Sequence, residues 1–488
     1  MSIKKYYANQ DNTITNAYQQ NLQTRGTEAN MGLSDILETF SIYGQASSGS
    51  TELERILIEF PVSQIITDRS NGSIPESGKV NFVLNMYNAV NNQTTPRELE
   101  LVVLPISKMW QEGTGLDMEE YKDVTRGGNG SNWINASSGT AWANIGGDYL
   151  ASPAYSQIFP VGDEVLEIDI TPLVEQWIAG GIANYGVGIH LTSSQEAYWP
   201  NPTGEQSQIN NLLGSQKTWY TKKFFGRGSE FFFKRPTIEA VWDSSIKDDR
   251  GNFYASSSLL PAAENDRTIY LYNAIGGRLR DIPGITTLSL KMYTSASGGE
   301  LITSPAITGG KVSTGIYSAS FALDTSASVV YDRWSNPGFT ACYYTGSIDI
   351  KTHNASGYSP YPNLVTNLTN LRSIYYPHET TRFRFYVREK DWSPTIYTVA
   401  ASKTDTLVVE SGSYQIHRLT DNLVAIPYIT GSSKGTEMSF DVSGNYFDLQ
   451  ISLLEPGYSY GIKIAYYDET VNSYVEQPHI WKFRVEEV

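Results

Sequence analysis

Short segments in which apolar and polar residues alternate recur along most of this chain, and that pattern limits what it can fold into. The clearest example is Thr381–Arg388, where Phe383, Phe385 and Val387 alternate with arginines and other residues. Two further segments, 80–87 and 287–293, show the same period. Because successive side chains of a strand point to opposite faces, a period of two predicts half-buried strands. The chain is therefore predicted to be all-β, a set of multi-domain β-sandwiches.

Two helices are predicted against this background. Thr171 is suited to an N-cap, Pro172 to the first helical position, and Gly180 with Gly181 to a stop, so a crossover helix is expected between them. A second, short helix is predicted over Ser34–Phe40, where apolar residues share one helical face.

Composition shifts divide the chain into four predicted parts. Residues 1–50 are dense in Asn, Gln and Thr and are expected to form an extended N-terminal arm, either frayed or ordered against a neighbouring subunit. Residues 51–242 are expected to form a jelly-roll-like sandwich, 243–350 an immunoglobulin-like sandwich, and 351–488 an immunoglobulin- or fibronectin-like sandwich. In the last part, Leu454–Tyr460 resembles the corner of such sandwiches, in which a tyrosine hydroxyl ties the loop back.

Charge and cysteine content exclude several classes. The chain has 36 Lys and Arg against 51 Asp and Glu, a net charge of −15, which disfavours nucleic-acid binding. Its single cysteine, Cys342, excludes an intramolecular disulfide and a cysteine-based metal site. No window approaches the length of apolar sequence that crosses a bilayer, and the first 30 residues lack a secretory core, so a protein made in a cytosol without membrane contact is expected.

Five tryptophans are the first candidates for a functional site. Trp133, Trp142 and Trp199 lie in loops rich in Gly, Ser and Asn, where an exposed ring can stack on a sugar, or can instead plug its loop onto the sandwich. Trp110 follows a buried strand, and Trp177 lies on the apolar face of the crossover helix, so both are predicted to be core residues.

Acidic loops are the second candidates. Asp117, Glu119 and Asp123 lie in a glycine-flanked loop and could hold Ca²⁺, although they lack EF-hand spacing and solvated charge is the alternative. Apart from calcium no cofactor is expected. No Ser, His and Asp constellation supports hydrolysis, so the chain is predicted not to be an enzyme.

Aromatic and basic residues suggest a subunit interface. The segment Lys222–Pro236 combines five basic residues with five phenylalanines, and Phe and Arg are enriched at interface cores. Phe224, Phe225 and Arg227 are therefore predicted to contact another subunit, together with Tyr6 and Tyr7 of the expected arm.

Two resemblances add to this reading. Residues 53–241 resemble the DNRLRE-type domain, a jelly-roll sandwich similar to family 6-like carbohydrate-binding modules. The motifs that carry this are Leu104–Thr114, similar to V-x-x-x-W-x-E-G-T, and Ile168–Trp177 followed by Asn184–Ile189. The whole chain also resembles virion structural proteins of marine tailed phages, cyanophage-like ones in particular, through Lys4–Ala17 and Lys222–Pro236.

These resemblances imply a non-enzymatic structural protein of a tailed-phage virion, at the neck, the tail or the capsid surface. Its expected partners are other virion proteins and further copies of itself, and its expected location is the virion. The alternative is a carbohydrate-binding adhesin, a spike or fibre that recognises polysaccharide on the host surface.

Overall fold

The computed structural model describes residues 2–43, 51–90, 96–118, 129–200, 207–303, 306–353, 363–393, 395–396 and 406–487. The chain divides into an N-terminal unit, Ile3–Trp242, and a C-terminal unit, Met1–Ser2 with Asp243–Val488. Both units are built mainly of strands in stacked or rolled sheets, so the predicted all-β, multi-domain sandwich class is confirmed. None of the helices in the described ranges has the length and apolar character needed to span a membrane.

The N-terminal unit contains thirteen described strands and two described α-helices. The strands are β1 (Ile3–Tyr7), β2 (Gln10–Thr15), β3 (Ile36–Tyr43), β4 (Glu52–Glu59), β5 (Asn81–Met86), β6 (Leu99–Pro105), β7 (Asn135–Ser137), β8 (Thr140–Ala141), β9 (Tyr155–Phe159), β10 (Leu166–Asp169), β11 (Val187–Leu191), β12 (Thr218–Phe225) and β13 (Thr237–Val241). The helices are α1 (Val62–Ser70) and α2 (Thr171–Ala179), and Phe232–Lys234 is a 3₁₀ turn.

Two sheets form the sandwich of this unit. The smaller has the order β1-β13-β5-β10, and the larger has the order β12-β3-β4-β11-β6-β9, with β2 also paired to β4. One buried cluster joins the facing sides, for example Phe82 and Ile238 of the smaller sheet and Ile58, Val103 and Phe224 of the larger. Burial of these apolar faces is the main force holding the two sheets together.

The N-terminal segment corrects the expectation of an arm. Strand β1 pairs with β13 from Ile3↔Val241 to Tyr7↔Thr237, and β2 pairs with β4. The low apolar content of this segment suggested that it could not fold, but its polar side chains are buried with hydrogen-bond partners. Asn12, fully buried, donates from Nδ2 to the Ser131 carbonyl at 2.9 Å.

The predicted helix over Ser34–Phe40 is also wrong. Residues Ile36–Tyr43 form β3, which pairs with β12 along its whole length. The spacing of Ile36, Leu37 and Phe40 suits a helix, but long-range pairing with β12 determines the outcome here.

The crossover helix is present, with one change at its start. Thr171 is the first helical residue rather than the cap, and its Oγ1 accepts the Phe82 amide at 2.7 Å. Gly180 ends the helix at φ +74°, as expected for a left-handed C-terminal residue. Helix α1 was not predicted; an Arg69–Glu175 ion pair of 2.5 Å links it to α2.

The C-terminal unit contains the remaining described strands. They are β14 (Phe253–Tyr254), β15 (Arg267–Tyr272), β16 (Ala274–Ile275), β17 (Arg278–Leu279), β18 (Thr287–Tyr293), β19 (Ile307–Ser313), β20 (Ile316–Phe321), β21 (Val329–Ser335), β22 (Cys342–Lys351), β23 (Leu364–Leu368), β24 (Ile374–Tyr375), β25 (Thr380–Glu389), β26 (Gly412–Arg418), β27 (Val424–Ile426), β28 (Ser439–Asp441), β29 (Gly444–Gln450), β30 (Ser459–Asp468), β31 (Ser473–Glu476) and β32 (Trp481–Val485). Three described 3₁₀ turns are Asp249–Gly251, Ala262–Glu264 and Ile451–Leu453.

The first part of this unit is one rolled sheet in the order β14-β22-β21-β18-β19-β20-β15. Its inner face forms a core with Leu290, Phe321 and Trp334. The end strands approach each other, since the Arg267 guanidinium lies 5.6 Å from the Tyr254 ring. The opposite face of β18, β21 and β22 is left at least partly exposed.

The last part is a sandwich of the sheets β23-β25-β29-β28 and β24-β32-β30-β26-β27. Aromatic rings meet between them, with Phe385 and Trp481 centroids 5.3 Å apart. The predicted corner is confirmed: the Tyr460 hydroxyl donates to the Glu455 carbonyl at 2.8 Å, across a turn that holds Gly457 at φ +89°.

Candidate functional site

The residues predicted to contact another subunit lie inside the N-terminal unit. Tyr6 and Phe224 are 1% and 0% exposed, and the Tyr6 hydroxyl donates to Asp68 Oδ2 at 2.9 Å. Phe225 is buried, and the half-buried Tyr7 ring lies 5.9 Å from that of Phe232. Tyr6, Phe224 and Phe225 therefore have almost no surface to offer another subunit, and Tyr7 has only part of its ring.

Arg227 is held by an internal ion pair. Its Nε and a terminal nitrogen each donate to a Glu112 carboxylate oxygen at 2.6 Å, which raises the pKa of Arg227. Its backbone amide donates to Asp11 Oδ2 at 2.6 Å. Burial raises the pKa of Asp11 to about 7, against the opposing effect of that amide and the guanidinium. Arg227 therefore ties β2 and the Glu112 loop to the end of β12.

The tryptophans proposed for sugar stacking close the outer face of the larger sheet. Trp133 and Trp142 are 0% and 5% exposed, in a cluster with Leu57 and Ile106. Their indole N–H groups donate to backbone carbonyls of Ser207 and Asn132. Buried rings cannot stack on a sugar, so the plug alternative holds for both.

The other tryptophans have separate environments. Trp199 is half-buried and forms a backbone bridge with Asn211. Trp110 and Trp177 are each 4% exposed, which confirms both as core residues.

The predicted calcium loop is described only at its start. Asp117 is 1% exposed and accepts the Asn30 amide at 3.2 Å, so its carboxylate has a backbone partner. Glu119 and Asp123 lie outside the described residues. Within the described ranges no group of three His, Cys, Asp or Glu side chains is placed to hold a metal ion.

A buried polar cluster lies under the tryptophan plugs. The Arg55 guanidinium donates to both oxygens of Glu196 at 3.0 and 2.7 Å, and His190 Nδ1 lies 3.6 Å from the same carboxylate. Burial, and next the nearby Arg55 charge, lower the pKa of His190 to about 4. The imidazole is therefore neutral at pH 7. Through Arg55 and His190 the cluster links β4 and β11 to the loop that carries Glu196.

The outer face of β3 and β12 exposes an apolar patch, here called the β3–β12 patch and formed by Phe40, Ile42 and Trp219. Trp219 is 62% exposed and Ile42 44%, and the two are directly opposite in the register. Phe40 is half-buried two residues along the same face. Because strand side chains alternate, burying Phe224 on the inner face turns Trp219 outward.

Sequence reasoning missed Trp219, although a signal was present. The interface prediction began at Lys222, whereas β12 begins at Thr218. Extending the alternation back from Phe224 puts Trp219 on the opposite face, but which face is buried depends on the pairing with β3.

A polar cleft is the second exposed feature, here called the β18–β21 cleft. It lies on the outer face of the rolled sheet and encloses about 260 Å³. Its lining residues are Tyr293, Ser295, Ala296, Ser297, Gly298, Tyr331, Arg333, Cys342 and Thr345.

Comparisons with known proteins give no family. No family model and no curated protein matches the chain. Similar solved structures include the Ig1-2 module of the Drosophila receptor protein tyrosine phosphatase DLAR, at 7% identity and TM-score 0.15, covering 46% of this chain and 91% of that one. Trypsin-activated α2-macroglobulin from Escherichia coli matches at 8% identity and TM-score 0.17, covering 99% of this chain and 30% of that one.

The Ig1 and Ig2 domains of DIP-gamma match at 6% identity and TM-score 0.12, covering 48% of this chain and 91% of that one. At these identities and scores the similarities say nothing about function.

Proposed function

We propose that this chain is a non-enzymatic structural component of a tailed-phage virion, at its neck, tail or capsid surface, and acts through protein–protein contacts. The observation that carries the assembly role is the β3–β12 patch, where Trp219 is exposed opposite Ile42. Tryptophan is among the residues that most often dominate binding energy at protein interfaces.

The surroundings of the patch support docking. Beside it the Thr221 hydroxyl and the Lys223 ammonium both contact the Glu38 carboxylate, at 2.7 and 3.0 Å. An apolar centre with a polar margin is the usual layout of a protein interface. Because the patch lies on two paired strands, little conformational entropy would be lost when it binds.

The virion assignment rests on the resemblance carried by Lys4–Ala17 and Lys222–Pro236. Under this proposal the partners are other virion proteins and further copies of this chain, and the protein is located in the virion.

The test replaces the most exposed aromatic of the patch. Trp219→Ala in the full chain is expected to weaken self-association, or binding to the other virion proteins, by about 30-fold, corresponding to a hot-spot loss of about 2 kcal/mol. Sedimentation equilibrium measures self-association, and pull-down on disassembled particles measures binding. Trp392→Ala is the matched control, because Trp392 is also exposed, at 38%, but lies in the C-terminal unit.

Two results would overturn the proposal. One is a Trp219→Ala protein that folds and associates as tightly as the unmodified chain. The other is an unmodified chain that stays monomeric at all concentrations and binds no virion protein.

A second candidate function is the carbohydrate-binding adhesin. Trp133 and Trp142 do not support it, because both are buried. The β18–β21 cleft favours it, because two tyrosines and several hydroxyl groups line an open polar depression.

A further inference from the structure

Two cations lie side by side next to the β18–β21 cleft. Lys291 of β18 and Arg333 of β21 are directly opposite in the register and point to the outer face. Like charges in this position destabilise a sheet. In the described part of the chain neither forms an ion pair with a carboxylate; the Lys291 ammonium lies 3.5 Å from the centre of the Phe339 ring. An anion bound here would relieve this repulsion.

The walls of the cleft suit a sugar ring. Tyr293 and Tyr331 are opposite each other in the next register position, so two aromatic side chains flank the same depression. Ser295, Ser297 and Thr345 add hydroxyl groups that can donate to and accept from sugar hydroxyls. The cleft volume, about 260 Å³, lies just below the range of about 300–1,000 Å³ for pockets that bind drug-sized ligands. A cleft of this size suits a single sugar residue.

Arg333 adds the charge preference. A guanidinium matches a carboxylate with two parallel hydrogen bonds, which an ammonium cannot do. We propose that the β18–β21 cleft binds an acidic sugar residue of a glycan, with Arg333 holding its carboxylate and Tyr293 and Tyr331 contacting its ring. This inference rests on the adhesin candidate and adds the class of glycan.

The chain carries its own reporter of this site. Cys342, its single cysteine, is exposed and lines the cleft. Burial alone would raise the pKa of the thiol, but hydrogen bonds with Thr345 and Arg333 outweigh it and lower the pKa. Because the thiolate is the reactive form, iodoacetamide will alkylate Cys342, and a bound sugar will slow that reaction.

The experiment measures Cys342 alkylation in the full chain with trigalacturonate, with neutral maltotriose, and with inorganic sulfate. Calorimetry measures the affinity of each. Trigalacturonate is expected to slow alkylation in proportion to its occupancy, and maltotriose and sulfate are not. Arg333→Gln is expected to weaken trigalacturonate binding about tenfold or more, the cost of losing hydrogen bonds to a charged group.

Controls separate binding from changes in the thiol. Because Arg333 lowers the pKa of the Cys342 thiol, the alkylation rate of each variant is compared with and without ligand. Tyr331→Ala, which leaves the thiol contacts in place, is expected to lose protection as well. Arg278→Gln, an exposed arginine elsewhere in the same unit, is expected to keep it.

Each contrary outcome has a distinct meaning. Equal protection by maltotriose would refute the acidic preference and leave a neutral-glycan adhesin standing. Equal protection by sulfate would show that the cleft is a simple anion site and would refute the proposal that it recognises a sugar. No protection and no binding heat with either saccharide would overturn this inference and remove the β18–β21 cleft as support for the adhesin candidate.

Discussion

At the residue scale, several ionisable side chains are buried inside the N-terminal unit. His190, Arg55 and Glu196 share one buried cluster, and Lys222 is 1% exposed. A charge removed from water is stabilising only when its hydrogen-bonding groups are matched, so substitution of one of these side chains is expected to destabilise the unit.

The first prediction concerns His190. Its pKa of about 4 in the folded state lies below the unfolded value of 6.5, so the unfolded state binds the proton more readily. The stability present above pH 6.5 is therefore lost as the pH falls toward 4. Relative to His190→Gln, the native protein is expected to lose about 2 kcal/mol of unfolding free energy between pH 8 and pH 5.

Urea denaturation across this pH range measures the difference. His353→Gln is the control, because His353 is exposed in the other unit, and its pH profile should match that of the native chain. Parallel profiles for His190→Gln and the native protein would contradict the prediction.

The second prediction concerns Lys222. Its ammonium donates to Asn88 Oδ1 and to the carbonyls of Gly162 and Glu164, at 2.8, 2.9 and 2.7 Å, and burial lowers its pKa to about 8. Lys222→Met leaves these acceptors unpaired and is expected to cost about 3 kcal/mol of stability. The neighbouring Lys223→Met removes only a surface ion pair with Glu38 and should cost under about 1 kcal/mol.

Denaturant titration of both variants decides the matter. Equal losses for the two substitutions would show that the buried hydrogen bonds of Lys222 contribute nothing specific.

At the element scale, local pattern and long-range pairing contribute to different degrees. Strands β18 and β25 follow alternating segments whose bounds the sequence places within a residue or so. Strand β3 does not, because Ile36, Leu37 and Phe40 also fit a helical face. Helix α1 escaped prediction because it lacks a cap side chain and carries few apolar residues.

The third prediction concerns Gly180, the residue that ends helix α2. Gly180 has φ +74°, and a Cβ added there meets no atom within 4 Å, so Gly180→Ala introduces backbone strain and no clash. The expected cost is about 1 kcal/mol of unfolding free energy. Gly181→Ala is the control, because its added Cβ makes only an ordinary contact with the Gln176 carbonyl, at 3.7 Å. Thermal unfolding of the pair measures the difference; an unchanged midpoint for Gly180→Ala would refute it.

At the scale of the whole molecule, residues 3–43 are structural parts of the N-terminal unit. Strand β1 pairs with β13, β2 pairs with β4, and β3 lies between β4 and β12 in the larger sheet. A chain without them would lack three sheet strands and the core residues Tyr6 and Leu37.

The fourth prediction follows from this arrangement. A chain that begins near residue 45 is expected to leave the N-terminal unit unfolded, whereas a peripheral arm could be removed without unfolding it. Limited proteolysis with mass spectrometry should show rapid cleavage within residues 46–242 and persistence of fragments from the C-terminal unit. Protection of both units in the shortened chain would refute the structural role of these strands.

The sequence alone determined the features that depend on near neighbours. Alternation predicted the all-β class, Pro172 and Gly180 located α2, and Leu454–Tyr460 identified the tyrosine corner, because turns, caps and strand periodicity are local properties.

The tertiary structure alone decided which side of each strand is buried. Pairing with β3 buries Phe224 and exposes Trp219, and the covering loops bury Trp133 and Trp142. The pairing of β3 with β12 joins residues 36–43 to residues 218–225, which are far apart in the sequence. A one-residue change of register would reverse every face of such a strand. For that reason most of the predicted interface and sugar-stacking residues are buried, namely Tyr6, Phe224, Phe225, Trp133 and Trp142, and the exposed surfaces were found only in the folded chain.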